Sequence, residues 1–288
     1  KLSVKFIIIL EILILLSVGF IASLSYSIGT NSIEKQLNNQ LESVIILKSN
    51  QLDNYISDVK ADITHISRHL RESVLSGDIN KSIIRNTLLN FKNENDNFFE
   101  FFILDTNGIV LVSSEQENEG KIKSSENYFK MGKNNQFLQS FYYDTVTREP
   151  ALTIANPIRL NNSKNNTWGI IVGRINISKI SNITSETSGL GESGETYLVN
   201  QYNYAVTSLK EEESLFSKTI YSSPIINCLE NKPLEVQFSK GYMDYSGDSC
   251  VGSYIFLSSL NVCLIAEIDE YEAFATMINF RNQVLFIS

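Results

Sequence analysis

Two stretches of the sequence carry the same hairpin pattern. Phe102–Ser113 and Tyr197–Ser208 each read as a short apolar run, a polar turn and a second apolar run that ends at Ser. Aligned without a gap, the two copies match turn residues at equivalent places, Asp105 with Asn200 and Gly108 with Asn203. Asn and Gly tolerate the positive φ that tight hairpin turns require. The repeat therefore predicts one small α+β module that is used twice.

A glycine-rich joint, Ser188–Gly194, leads into the second copy. It holds Gly189, Gly191 and Gly194 in the spacing of the dinucleotide-binding fingerprint. That fingerprint binds a pyrophosphate only where it follows a strand and opens a helix. Here the glycines precede a strand and no helix follows, so we interpret them as hinge and turn residues.

The stretch Gly189–Asn200 resembles the start of the membrane-proximal half of a double Cache (dCache) sensor domain. Asp244–Tyr254 and Ala266–Phe274 are further matches, and the second is similar to the closing strand and exit helix of histidine-kinase members. The resemblance covers about residues 30 to 280. It implies an α+β fold in which an N-terminal transmembrane helix and a long helix precede two tandem PAS-like (Cache) modules with antiparallel sheets.

The two ends of the chain are apolar. Phe6–Ile28 is an almost unbroken apolar run of about the length that crosses a bilayer. Lys1 and Lys5 precede it and no basic cluster follows, which favours a cytoplasmic N-terminus, although a cleaved signal peptide is the competing interpretation. Val284–Ser288 predicts the start of a second span, so we expect residues 29–281 to lie outside the cytoplasm at the cell membrane.

We expect five segments along the chain: a transmembrane helix and flank at 1–28, a long extracytoplasmic helical segment at 29–92, a membrane-distal module at 93–185, a membrane-proximal module at 186–275, and an exit helix with the start of a second span at 276–288.

In the helical segment, the apolar residues from Leu52 to Leu70 are spaced alternately by four and by three positions, and they therefore form one stripe along the helix. Such a stripe must be buried against the modules or against a second subunit, and we expect a homodimer.

Charge and motifs argue against several function classes. The net charge of −8 disfavours nucleic acid as a partner. His65 and His69 are the only histidines, and no carboxylate stands between them as a metallohydrolase motif requires. We therefore predict no metal site, no catalytic residue and no cofactor in this segment. A membrane-anchored ectoenzyme is the alternative from another class.

Three cysteines, Cys228, Cys250 and Cys263, are too few and too irregular for a metal framework or a disulfide scaffold. Cys250 and Cys263 lie in apolar strand-like runs, where a cysteine is usually a small buried hydrophobe. A Cys228–Cys250 bridge outside the cytoplasm stays open as an alternative.

The resemblance also implies where a ligand binds. In dCache domains the small ligand lies in the membrane-distal module, between the segment after the hairpin, a Y-x-D segment and the last strand. Amino-acid-binding members carry an Arg on the first segment for the ligand carboxylate and an Asp on the last strand for the ammonium. This chain has Glu126 and Arg174 at those two places, so both charges are inverted.

The ligand-binding residues that the resemblance predicts are Tyr128, Tyr142, Asp144, Thr153 and Arg174, with Glu126 at the rim. The inverted charges argue against an α-amino acid in the usual orientation, because each buried charge needs an opposite partner. Several alternatives stay open: a ligand bound in reverse, a Glu126–Arg174 pair that closes the site, a small anion held by Arg174, or plain surface charges.

The expected function is the extracytoplasmic ligand-sensing region of a transmembrane signalling receptor. It would bind a small extracellular molecule in the distal module and pass a helix shift across the membrane. The resemblance of Ala266–Phe274 favours a two-component sensor histidine kinase, and a methyl-accepting chemoreceptor or a diguanylate cyclase is the alternative.

Overall fold

The computed structural model describes residues 2–77, 80–144, 149–160, 167–210 and 215–287. One very long helix is followed by two antiparallel sheets and a C-terminal pair of helices. The predicted α+β fold, with a long N-terminal helix and two antiparallel sheets, is confirmed.

Helix α1 runs over Leu2–Leu75. Among the described residues it is the helix whose length and composition suffice to cross a membrane, by virtue of its apolar and exposed N-terminal part. Its second half lies against both sheets and buries the predicted stripe, Leu52, Ile56, Val59, Ile63, Ile66 and Leu70. Of the two alternatives for this stripe, burial against the modules is confirmed and contact with a second subunit is wrong, because these side chains lie in the core of their own chain. The homodimer stays a prediction.

The first sheet has five strands in the order β2-β1-β5-β4-β3. Its strands are β1 (Phe98–Leu104), β2 (Val110–Ser113), β3 (Phe137–Asp144), β4 (Glu149–Arg159) and β5 (Thr167–Ile175). Helix α2 (Lys81–Glu94) precedes the sheet, α3 (Asn127–Gly132) lies on it, and α4 (Ile177–Ser185) follows it. One face of the sheet packs on α1 and the other carries α3, so polar side chains between strands and α3 can form a site.

The second sheet has four strands in the order β6-β9-β8-β7. Its elements are β6 (Glu195–Asn200), α5 (Ser223–Asn231), β7 (Gln237–Met243), β8 (Ser249–Leu257) and β9 (Val262–Asp269). Between β6 and α5, the described residues make isolated bridges at Ala205 and Tyr204 rather than a strand, so the second hairpin does not add a fifth strand to this sheet.

The repeated turns make the same hydrogen bonds, as the alignment of the hairpins predicts. The side chain of Asp105 accepts hydrogen bonds from the N–H groups two and four residues later, at 2.9 and 2.8 Å. The side-chain oxygen of Asn200 accepts the same two bonds in the second turn, both at 3.0 Å. Gly108 and Asn203 share the left-handed conformation, with φ of 85° and 65°.

A disulfide joins Cys228 to Cys263, whose Cα atoms are 6.1 Å apart. The alternative Cys228–Cys250 bridge is wrong, and Cys263 is not an unpaired hydrophobe. Helix α5 packs across β8 and β9, which brings Cys228 onto the face of the sheet that holds Cys263. Cys250 is free and buried at the far end of the sheet, opposite Asp269.

The chain leaves the second sheet through two helices, α6 (Glu270–Ala273) and α7 (Ala275–Ile287). The two helices are separated at Phe274. Helix α7 returns alongside α1, where Gly29 leaves room for the side chain of Met277. The side chains of residues 283–288, which carry the predicted start of a second span, lie outside the description.

Candidate ligand-binding site

A small polar cavity lies on the face of the first sheet that carries α3. Its walls come from β1, β3 and β5, from α3, and from the segment between β2 and α3. The cavity measures about 20 Å³, which is room for about one water molecule. We call it the distal cavity.

Strand register brings the polar side chains of this cavity into one row. Glu100 on β1 is paired with Arg174 on β5, and Arg174 is paired with Thr153 on β4. Paired residues of neighbouring strands project on the same face of a sheet, so the three side chains are adjacent. Tyr142 on β3 completes the row, with its hydroxyl 2.9 Å from that of Thr153.

Two acids and two bases meet in the distal cavity. The guanidinium of Arg174 lies 3.6 Å from the carboxylate of Glu100 and 3.7 Å from that of Asp144. Lys123 lies 3.9 Å from the same Asp144 carboxylate. All four side chains are between 3% and 12% exposed. Among the residues that the structure describes, these four nearly buried side chains supply two positive and two negative charges that lie beside one another, as burial of charge requires.

Two tyrosines form the aromatic part of the wall. Burial raises the pKa of Tyr142 to about 12 and raises the pKa of Tyr128 further. Both hydroxyls therefore keep their protons at neutral pH and can donate hydrogen bonds. The backbone N–H of Tyr128, in the first turn of α3, donates to the side chain of Gln139 on β3 at 2.8 Å, which holds α3 against the sheet.

The structure brings four of the six predicted site residues to the wall of the distal cavity: Tyr128, Tyr142, Asp144 and Arg174. Thr153 lies fully buried beneath the wall, under the hydroxyl of Tyr142. Glu126 occupies the N-cap position of α3, without a side-chain capping hydrogen bond, and lies outside the lining. The ion-pair partners of Arg174 among the described residues are Glu100 and Asp144, so the alternative of a Glu126–Arg174 pair is wrong.

Sequence reasoning missed Glu100 and Lys123. Glu100 is the single charge in the apolar run Phe98–Leu104, and a charge inside a buried strand needs a buried partner. That isolated charge was a signal that could have found it. Lys123 lies in a loop among other polar residues, where its sequence surroundings do not distinguish it.

The second sheet holds a cluster of acids on the face opposite α1. Glu195 on β6 is paired with Glu267 on β9, and carboxylate oxygens of these two and of Asp244 lie within 4.8 Å of one another. Glu267 accepts hydrogen bonds from the hydroxyls of Tyr197 at 2.8 Å and Tyr242 at 2.7 Å. Burial raises the pKa of Glu267 to about 8, although these two hydrogen bonds oppose the shift. We call this group the proximal acid cluster.

The glycine-rich joint connects α1 and the exit helix to the second sheet. The carboxylate of Glu272 on α6 accepts hydrogen bonds from the N–H groups of Glu192 at 2.8 Å and Ser193 at 2.7 Å. From the other side, the amide of Gln40 on α1 donates to the carbonyl of Gly189. Gly191 has a φ of 79° and no room for a Cβ beside Glu272, so its glycine is required for this contact.

Two antiparallel sheets on one long helix, the first with a polar cavity under α3, define a tandem-module sensor domain. Residues 29–277 match the family model described as the Cache domain, dCache_1. The chain therefore belongs to the Cache-domain family. No curated protein matches the chain.

Solved structures with the same fold include ligand-binding domains of chemoreceptors and the extracellular domain of a protein assigned to the histidine kinases. The ligand-binding domain of the Campylobacter jejuni chemoreceptor Tlp3, in complex with 4-methylisoleucine, is 15% identical over 84% of this chain and 93% of its own, with a TM-score of 0.63. The ligand-binding domain of the Pseudomonas fluorescens chemoreceptor CtaA, in complex with L-isoleucine, is 14% identical over 85% of this chain and 98% of its own, with a TM-score of 0.60. The extracellular domain of rpHK1S-Z16, assigned to a histidine kinase, is 12% identical over 82% of this chain and 95% of its own, with a TM-score of 0.63.

Proposed function

We propose that this chain senses a small zwitterion outside the cytoplasm and that the ligand binds in the distal cavity. The observation that carries the proposal is the balanced set of two buried acids and two buried bases in that cavity. The chain is then the sensing region of a transmembrane receptor, with its five segments divided as the sequence predicts.

The paired charges favour a ligand that bears both signs. An α-amino acid can present its carboxylate to Arg174 and Lys123 and its ammonium to Glu100 and Asp144. Each protein charge then exchanges one partner for another, and none is left unpaired in the cavity. This pose reverses the orientation that the family pattern implies.

A simple anion fits the distal cavity less well. Arg174 already faces two carboxylates, and a bound anion that takes Arg174 from Glu100 and Asp144 leaves them without this counter-charge. Leaving a buried charge uncompensated is strongly unfavourable. The amino-acid ligands named for the Tlp3 and CtaA structures support the zwitterion as well.

The cavity in this structure is too small for an amino acid, so binding requires the wall to open. The movable parts are the salt bridges themselves and the segment that carries Lys123 between β2 and α3. A ligand can drive such a change only by binding one state more tightly than the other. A change in the first module can reach the exit helix through α1 and the joint, where Gln40 and Glu272 both make hydrogen bonds. Helix shifts of about 1–2 Å are typical of packed assemblies.

Two features support a location outside the cytoplasm. Helix α1 begins with an apolar, exposed part that is long enough to cross a membrane. The second module holds the Cys228–Cys263 disulfide, and disulfides persist mainly in oxidising compartments. Among receptor classes we favour a sensor histidine kinase, because Ala266–Phe274 resembles the exit segment of that class. The output domain of the protein that carries this region tests this choice against a chemoreceptor or a cyclase.

Calorimetry on the full chain in non-ionic detergent tests the ligand proposal. The panel contains the proteinogenic amino acids, their decarboxylated amines and their deaminated carboxylic acids. We expect at least one amino acid to bind, with both truncated analogues much weaker. Arg174→Ala should cost about 2–5 kcal/mol of binding free energy, because it leaves the ligand carboxylate facing buried acids.

Arg85→Ala is the matched control, because Arg85 is also on the first module but pairs with Glu119 at a distance of 2.6 Å. It should bind the ligand as the wild type does. Unchanged affinity in the Arg174→Ala variant would remove Arg174 from the site. Tight binding of a carboxylic acid without the amine would replace the zwitterion by a simple anion.

A further inference from the structure

A second cavity of the first module is lined by arginines. It lies between α1, the end of β4 and the segment that joins α3 to β3, and it measures about 460 Å³. Arg68 and Arg71 reach it from α1, and Arg159 reaches it from β4. It shares no lining residue with the distal cavity, so the two are separate. We call it the arginine groove.

The charges of the arginine groove have no counter-charge in the described part of the chain. None of the three guanidinium groups lies within 4.0 Å of a carboxylate there. The Nε atoms of Arg71 and Arg159 are buried and have no hydrogen-bond partner among the residues that the structure describes. Within the same residues, Arg159 donates from Nη2 to the carbonyl of Asn134.

The rest of the lining is polar and uncharged. Hydroxyls, amides and one proline complete it: Thr64, Ser67, Asn135, Gln136, Asn156 and Pro157. The protein has an excess of acidic residues, with a net charge of −8, and elsewhere on this module Arg85 and Arg174 both pair with acids. The absence of any acid from the described lining is therefore a local feature of the groove.

The three guanidinium groups of the groove are positively charged, and two of their Nε–H groups have no acceptor in the described part of the chain. Anionic oxygens supply both the counter-charge and the acceptors. Arg68 and Arg71 are three residues apart on one helix, where like charges repel. A guanidinium presents its N–H groups as a planar fork that matches the oxygens of a carboxylate or phosphate. A ligand with several anionic oxygens satisfies all three arginines at once.

We propose that the arginine groove binds a small organic polyanion, a molecule with at least two carboxylates or a phosphate together with hydroxyl groups. The volume falls within the range of small-molecule sites, which is larger than a single inorganic ion requires. The hydroxyl and amide side chains around the arginines can bind the neutral part of such a ligand. This site is separate from the zwitterion site and does not depend on it.

Occupation of the groove would join α1 to the first sheet. Two of the arginines belong to α1, which also carries the apolar segment at its N-terminal end, and the third belongs to β4. A polyanion held by all three adds a contact between the helix and the sheet where Ser67 already donates to the carbonyl of Pro157, at 3.2 Å. The groove is thus placed to modulate the packing of α1 on the module.

Calorimetry on the full chain in non-ionic detergent tests the proposal with four probes. Citrate and glucose 6-phosphate are the organic polyanions, glucose is the neutral control and inorganic phosphate is the simple ion. We expect saturable binding of at least one polyanion, tighter than that of inorganic phosphate, and no binding of glucose. The double variant Arg71→Gln/Arg159→Gln should weaken that binding at least tenfold.

Two further variants assign the binding to the groove. Arg85→Gln removes a paired arginine of the same module and should leave the affinity unchanged. Lys92→Gln should leave it unchanged as well, because Lys92 pairs with Glu115 and lies outside the groove. If the double variant does not fold, judged by its thermal unfolding, Arg68→Gln replaces it, because Arg68 is exposed.

Three results would overturn the proposal. The first is that neither citrate nor glucose 6-phosphate binds. The second is that the affinity is the same in the arginine variants of the groove. The third is that inorganic phosphate binds as tightly as the organic probes, which would reduce the groove to a site for an adventitious ion only.

Discussion

The two modules carry matching polar positions, and one of the matched positions holds opposite charges. Strand pairing and the repeat match residues of the distal cavity with residues of the proximal acid cluster: Glu100 with Glu195, Tyr142 with Tyr242, Asp144 with Asp244, and Arg174 with Glu267. A Y-x-D sequence ends the edge strand in both copies. The first module thus combines two acids with an arginine, and the second has a third acid in place of the arginine.

This difference shows two ways to accommodate a buried carboxylate. In the first module Arg174 provides a positive charge, and ion pairs balance the acids. In the second module burial raises the pKa of Glu267, and two tyrosine hydroxyls lie within hydrogen-bond distance of its carboxyl group. Each member of an ion pair can exchange its partner for a charged group of a ligand. A protonated carboxyl group among tyrosines carries no charge and cannot form such a pair. The comparison therefore favours the first module over the second as the place of the proposed zwitterion site.

The largest expected effect comes from making the first module resemble the second. Arg174→Glu removes the cation and places a third acid beside Glu100 and Asp144. Breaking a buried ion pair in this way should lower the free energy of unfolding by about 3–5 kcal/mol at pH 8. Thermal and urea unfolding should show a smaller loss at pH 5, because protonation can then neutralise the new carboxyl.

The control for that experiment is Arg85→Glu, which breaks a more exposed ion pair with Glu119. The side chains of Arg85 and Glu119 are 23% and 17% exposed, so solvent screens this pair more than it screens Arg174, and the variant should lose less stability than Arg174→Glu. An Arg174→Glu variant as stable as the control would show that the two cavities tolerate either charge, and the comparison would lose its basis.

A second difference between the modules is the Cys228–Cys263 disulfide of the second sheet. Its removal by Cys228→Ala/Cys263→Ala should lower the free energy of unfolding by about 2–4 kcal/mol, the usual contribution of a native disulfide. A reductant should destabilise the wild type in urea unfolding and leave the variant unchanged. A wild type that is insensitive to reductant would mean that the two cysteines are not joined.

The smallest expected effect is the pH dependence of the second module. The pKa of Glu267 is raised to about 8 in the folded state, against about 4.3 in an unfolded chain. The folded state therefore binds more protons between these values, and stability must fall as pH rises through this window. From pH 6.5 to 7.5 the loss from this group is at most about 1.4 kcal/mol.

Glu267→Gln should reduce this pH dependence, since the amide keeps the neutral shape and does not titrate. Glu195, Asp244, Asp269 and Cys250 are the other titratable groups around the cluster besides the tyrosines, and burial raises the pKa of Glu195 in the same direction. Some dependence should therefore remain in the variant. Glu235→Gln, an exposed change, is the control. If the free energy of unfolding falls with pH at the same slope in the wild type and in Glu267→Gln, then Glu267 is ionised in the folded protein.

Much of the fold followed from local patterns. The hairpin repeat, the long amphipathic helix and the turn glycines depend on neighbouring residues, and these predictions agree with the structure. The sequence also predicted that the apolar stripe of α1 is buried, but it did not identify the surface that covers the stripe. Periodicity shows that a helix face is buried and does not show whether a sheet of the same chain or a second chain covers it.

The site was predictable only in part. Tyr128, Tyr142, Asp144 and Arg174 came from a pattern of family positions, and the structure places them around one cavity. The arginine groove was not foreseen, because Arg68 and Arg71 are far from Arg159 in sequence. Three ordinary surface charges in the sequence become a cluster only after α1 packs on β4.

The sequence by itself determined the two modules, the helix that precedes them and the charges available to each, because periodicity and turn chemistry are local properties. Only the tertiary structure decided which charges meet. Strand register places Glu100 beside Arg174 and Glu195 beside Glu267. The packing of α5 on the second sheet brings Cys228 to Cys263 rather than to Cys250. Pairing across strands depends on the alignment of residues distant in the chain, and that alignment forms only when the sheet and its helices pack together.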